Sequence, residues 1–153
     1  MAHNNHVVDG VNKDFRPYAW SSAEDTKEYY LNLADGWEDP YTPPVITEHD
    51  GIRVVRDDYL TGTKVRGGDC LISSLPESID TIVYVQPRTG LAGVSILDVA
   101  KQHNKKVRLF MPSSKEISMH QACCIERGAD VSFHRIAAMP NLNLIAKKWA
   151  EEN

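Results

Sequence analysis

The sequence predicts an α/β protein: a three-layer parallel sheet built of βαβ units. Three observations predict it. Thr81–Val85 is a short, continuous apolar run, the pattern of a strand covered on both faces, and Val107–Met111 and Val131–His134 read as the next two strands. Each is followed by a segment of helical length with apolar residues at helical spacing. A strand–helix–strand succession of this kind closes a parallel pair through a right-handed crossover. The 153 residues suffice for one domain with a core.

Residues 1–40 read as an N-terminal arm and helix, and residues 41–153 as the α/β domain. The first twenty residues are polar and irregular, with Phe15, Tyr18 and Trp20 among them, and are expected to drape over the domain or contact a partner subunit. Ser21-Ser22-Ala23-Glu24 has the capping-box pattern, a serine accepting from the Glu24 N–H while the Glu24 side chain reaches back. The helix it opens is predicted to run to about Ala34 and to end at Gly36. Its aromatic face, with Tyr29, Tyr30, Leu33 and Trp37, is expected to pack on the domain. Three prolines between Asp39 and Pro44 make an extended connector. A short strand, Val45–Thr47, and the turn Asp50-Gly51 lead to Ile52–Val55, an apolar run expected to be a buried strand.

Val65–Leu75 is predicted helical, with Leu71, Ile72 and Leu75 on one face and Pro76 closing it. Gly67 and Gly68 weaken it by about 1 kcal/mol each relative to alanine, which suggests that a strand or a bound ring approaches the backbone there. Thr89–His103 follows the first sheet strand as a helix with Leu91, Val94 and Leu97 inward. Ser113-Ser114-Lys115-Glu116 is expected to cap a helix that ends at Gly128. The last helix, Asn141–Glu151, turns Leu142, Ile145 and Trp149 inward.

Composition excludes several classes. A net charge of −4 leaves no nucleic-acid footprint. The apolar runs are too short to span a membrane, and the N-terminus lacks the basic-then-apolar order of a signal peptide. Three cysteines, with Cys123 and Cys124 adjacent, make no disulfide framework, so a reducing, cytoplasmic setting is expected. His3 and His6 read as part of a polar start rather than as metal ligands, and no metal spacing is present.

The chemistry centres on Lys64. It follows the turn Leu60-Thr61-Gly62-Thr63 at the point where a helix should begin. The positive potential of a helix N-terminus favours the neutral, nucleophilic form of an amine, as Schiff-base chemistry requires. In open parallel sheets ligands bind at the carboxyl ends of strands, here Gln86–Gly93 and Pro112–Lys115. Thr89 and the N–H groups of Gly90, Leu91 and Ala92, with Arg88 beside them, can hold a carboxylate or phosphate. Asp57 and Asp58 read first as surface charges and second as an acid–base pair. His120 and His134 read as structural or exposed, and at least one of Cys123 and Cys124 as buried. Lys101, Lys105, Lys106 and Arg108 read as cations complementing a helix C-terminus.

The run Arg56-Asp57-Asp58 with Thr61-Gly62-Thr63-Lys64-Val65-Arg66 resembles a stretch of the 1-aminocyclopropane-1-carboxylate deaminase and D-cysteine desulfhydrase family, and more widely of the tryptophan-synthase-β group of pyridoxal phosphate enzymes. The likeness runs from about Thr42 onward and covers the first part of that fold. It implies the small domain of such an enzyme, pyridoxal phosphate on Lys64, further cofactor contacts from Thr89 and Gly90, and a small amino-acid substrate held by Thr89, Gly90, Leu91 and Ala92. Deamination or β-elimination is the implied reaction. The family's serine-asparagine-histidine run falls on Gly90, Leu91 and Ala92 and is not kept. Its glycine-rich phosphate loop lies beyond the span of likeness, and no GxGxxG or P-loop pattern replaces it here. The resemblance therefore implies a further segment, a homo-oligomer or a partner chain that completes the cofactor site. The alternative is a non-catalytic binding or assembly module descended from the same fold. A flavodoxin-like or nucleotide-binding half-domain is the third reading.

Overall fold

The computed structural model describes residues 22–153. The expected arm with Phe15, Tyr18 and Trp20, the start with His3 and His6, and Ser21 lie outside the described residues. The chain is mixed α/β. Its described elements are α1 (Ala23–Leu33), β1 (Val45–His49), β2 (Ile52–Arg56), α2 (Val65–Ser73), β3 (Thr81–Val85), α3 (Ala92–Gln102), β4 (Lys106–Pro112), α4 (Met119–Glu126), β5 (Asp130–His134) and α5 (Met139–Glu152).

β3, β4 and β5 form a parallel sheet in that order, with Val85 opposite Phe110 and Met111 opposite Phe133. Alternation along the strands sends side chains to two separate clusters. Ile82, Tyr84, Leu109, Met111 and Val131 join Val94 and Leu97 of α3 and Cys124 of α4. Val83, Val85 and Phe110 meet Leu142, Ala146 and Trp149 of α5. Leu109 and Met111 are fully buried, each contributing about 1.5–3 kcal/mol. α2 packs on α3, and its Val65 and Ile72 enter the larger cluster.

β1 and β2 do not join that sheet. They form a separate antiparallel hairpin, turned by Asp50 (φ 52°) and Gly51 (φ 78°), the positive angles that a two-residue mirror-image turn requires. The expected buried strand is a correction: every residue of β2 is exposed, with Ile52 at 67% and Val55 at 62%. An apolar run of this length fits a buried strand, but nothing among the described residues packs over it.

Helix starts also differ from expectation. α1 is capped by Ser22, whose Oγ accepts from Asp25 N–H at 3.0 Å while Asp25 returns the bond, one residue later than the Ser21–Glu24 box. The Ser113–Glu116 box opens no helix, because Ser114 donates instead to the Glu116 carbonyl within a turn. Ser118 and Gln121 make the actual box, with α4 ending before Gly128 in the left-handed region. α3 starts at Ala92 rather than Thr89, and α5 at Met139, with Pro140 in its first turn. In α5 the buried positions are Leu142 and Ala146, while Ile145 is exposed rather than inward. In α2, Leu71 is exposed rather than inward.

Candidate functional site

The Lys64 corner is built from both sides. Before the lysine, Gly62 (φ 150°) lies so close to α3 that a Cβ there would meet Ser95 Oγ at 2.7 Å and Leu91 Cβ at 3.2 Å. Glycine is required for the angle and for the approach. Thr61 Oγ1 donates to Asp98 of α3, and Ser95 Oγ reaches the Thr61 carbonyl at 3.4 Å. After the lysine, Arg66 grips three segments. Its guanidinium binds both oxygens of Asp57 (3.0 and 2.8 Å), the Thr42 carbonyl (2.7 Å) and Asp39, and stacks on Tyr41. This ties the proline connector, the exit of β2 and the first turn of α2 together.

Lys64 is the N-cap of α2, and its carbonyl accepts from Gly68 N–H at 2.8 Å. Its side chain is exposed and has no partner among the described residues. Of the two glycines that follow, Gly67 faces open space. Gly68 would place a Cβ 3.8 Å from Val99, an ordinary contact, so the close neighbour is helix α3 rather than a strand or a bound ring.

The second half of the corner is the turn after β3. Gln86 is fully buried at the strand end. Its Oε1 accepts from Gly93 N–H at 2.8 Å, and its Nε2 donates to the carbonyls of Pro87 (2.9 Å) and Gly90 (3.0 Å). The N-cap residue Leu91 has no side-chain cap, so this glutamine caps α3 from outside the helix. Among the described residues the N–H groups of Ala92 and Val94 meet no acceptor. Thr89, Gly90 and Leu91 are exposed and Ala92 is half-buried. The structure thus lays the Lys64 turn on the N-terminal turn of α3, where Leu91 and Ala92 sit. Gln86 is the residue that sequence reasoning missed. Its only signal was a polar side chain directly after an apolar strand.

The other candidates are accounted for structurally. Arg66 beside Asp57 holds its carboxyl below the usual range, and Arg56 brings Asp58 down to about 2. Both therefore stay ionised in ion pairs and make a poor acid–base couple. The turn at Pro112–Lys115 is tied by Ser113 N–H to the His134 carbonyl (2.8 Å) and by buried Gln121 to the Pro112 carbonyl (3.2 Å). His134 bonds Ser132 (2.8 Å) and stacks on Phe110. Cys124 is fully buried, and burial pushes its thiol up to about 11, which makes it inert. Asp69, also buried, accepts from Trp37 Nε1 (2.8 Å) and meets His103 Nε2 (2.7 Å), joining the segment after α1 to α2 and α3.

Among the described residues no helix is long and apolar enough to cross a membrane, and no group of three His, Cys, Asp or Glu residues could hold a metal ion. No family model, curated protein or solved structure matches this chain.

Proposed function

We propose that this chain is a pyridoxal-phosphate-dependent amino-acid lyase or deaminase-like domain, of the three-layer parallel type, with Lys64 as the residue that carries the cofactor. One observation carries the reading. The turn that ends in the exposed, unpartnered Lys64 amine lies, through Gly62, on the N-terminal turn of α3, where N–H groups are free. An amine for the cofactor carbonyl and a positive helix end for an anion are two fixtures of such a site.

The residues present fit the cofactor at those two points. Support for the ring face is not among them, since Gly90, Leu91 and Ala92 offer no polar side chain. A further segment, a second copy or a partner chain would complete the site. When bound, pyridoxal phosphate supplies an electron-poor ring that takes up charge left by a departing proton. Lys64 Nζ would remove or return the α-proton of a small amino acid. The N–H groups at the start of α3, with Thr89 and Gly90, would hold its carboxylate. Gln86 keeps that turn in place.

The test is to add pyridoxal phosphate, reduce with borohydride and map the modified lysine by mass spectrometry, with Lys64→Ala alongside. A yellow species that reduces onto Lys64 and disappears in the variant is the expected result. Adducts spread over surface lysines, or none, overturn the reading. The cytoplasmic setting expected for such an enzyme belongs to the same proposal.

The second reading, a non-catalytic assembly module of the same ancestry, is favoured by the β1–β2 hairpin. Val45, Ile46, Ile52 and Val55 are each more than half exposed there. A lone two-stranded hairpin is marginal in water, and an apolar one marks an interaction surface.

A further inference from the structure

At the end of the sheet away from Lys64, five cationic side chains line one cavity. Its volume is about 480 Å³, within the roughly 300–1,000 Å³ of small-molecule sites. It lies where β3, β4 and β5 begin, beside the C-terminal ends of α3 and α4. Lys101, Lys105, Lys106, Arg108 and Arg127 line it, with Asp130 as the one carboxylate among the lining residues. A chain of net charge −4 has concentrated positive charge at this place.

Three of the five cations are neutralised. Arg108 pairs with Asp130, Lys106 with Asp80 at 3.1 Å and Arg127 with Asp98 at 3.2 Å. Lys105 donates only to the neutral carbonyls of Pro76 and Ile79, and Lys101 has no partner among the described residues. Two positive charges remain. The α3 and α4 C-termini offset about half a charge each and leave an excess. The Lys105 amine moreover serves carbonyls of the turn after α2, not those at the end of α3.

Arg108 adds a second observation. Its guanidinium lies over the rings of Phe110 (5.2 Å) and Trp149 (5.5 Å), which fix it, and its buried Nε has no acceptor among the described residues. Among the described residues this donor lacks an acceptor, which an oxyanion in the cavity would supply.

We propose that this cavity binds a small phosphate-bearing molecule, with Lys101, Lys105 and Arg108 around a dianionic phosphate. The positive excess left on Lys101 and Lys105 favours an anionic phosphate group, and the overall negative charge disfavours a nucleic-acid polymer. The site shares none of its lining residues with the Lys64 corner and does not depend on how Lys64 is read.

The experiment is an NMR titration of isotope-labelled protein with inorganic phosphate and with pyrophosphate, at low and high salt. Saturable shifts confined to Thr81, residues 97–108, residues 127–130 and Trp149, weakened by salt, are expected. Lys101 is exposed and unpaired, so Lys101→Glu should keep the fold, which the same spectra report. It should weaken binding about ten-fold, the effect of roughly 1.4 kcal/mol of lost attraction. Lys64→Ala should leave this binding unchanged while abolishing the adduct described above, so the two proposals fail separately. Shifts scattered over exposed lysines, no saturation, or equal affinity in Lys101→Glu overturn the phosphate site.

Discussion

Gln86→Leu isolates the contribution of the buried glutamine that caps α3. Leucine is close to glutamine in volume, so the loss is of hydrogen bonds rather than of packing. Wild type makes three bonds there, to Gly93 N–H and to the carbonyls of Pro87 and Gly90. Each contributes about 1 kcal/mol net, and a buried donor left unpaired costs about 1–3 kcal/mol. Gly93 is buried, so its N–H bears that cost, while the carbonyls of the exposed turn can turn to water. The Gly93 bond and its unpaired N–H alone come to a loss of about 2–4 kcal/mol. With a urea slope of about 2 kcal/mol per molar, the midpoint falls by about 1–2 M. Amide exchange at Gly93 should accelerate with it. A loss under about 0.5 kcal/mol, with Gly93 exchange unchanged, would refute the argument that Gln86 holds this turn.

Two further outcomes are expected. Asp69→Ala removes the acceptor shared by Trp37 and His103 from a site only 3% exposed, and should cost about 2–4 kcal/mol, with Asp69→Asn losing less because it still accepts from Trp37; urea unfolding and the Trp37 emission would report it. Acid should act through Asp57 and Asp58. Arg66 depresses the Asp57 carboxyl and Arg56 brings Asp58 down to about 2, so their contribution is full above the ordinary carboxylate range and is lost as pH falls through the depressed values. Denaturation profiles between neutral pH and pH 2 should therefore slope less steeply in Asp58→Asn than in wild type.

What the sequence made legible is what is local. The succession from β3 to α5 is written in short apolar runs and intervening helical spacings, and each element appears near its expected place. Helix starts were harder, because two serine-headed boxes compete before α4. Ser118–Gln121 wins since Gln121 also reaches the Pro112 carbonyl from a fully buried position, a contact that no short window contains. The same holds for α3, where Thr89 is the local candidate but Gln86 takes the task across seven residues. The β2 misreading has another cause. Val54 and Val55 look alike whether or not something covers them, because burial belongs to the surroundings and not to the strand. At the candidate site the Lys64 turn was legible, whereas the Thr61–Asp98 and Arg66–Asp39 contacts that hold it span distant segments.

Those contacts show why the lysine stands where it does. On one side Gly62 and Thr61 fasten the turn to α3. On the other, Arg66 fastens the first turn of α2 to Asp57 at the exit of the hairpin and to Asp39 and Thr42 in the connector. Lys64 lies at the joint between a packed sheet domain and an exposed apolar hairpin. A partner docked on Ile52 and Val55 would therefore act on β2, and through Asp57 and Arg66 on the helix turn that begins with Lys64. An isolated chain would already hold the amine at the start of α2, since the α3 contacts do not involve the hairpin. Covering the hairpin would immobilise the remaining side of the joint. That arrangement would link the two proposed readings, because assembly through the hairpin and chemistry at Lys64 would both act on the joint that Arg66 makes with Asp39 and Asp57.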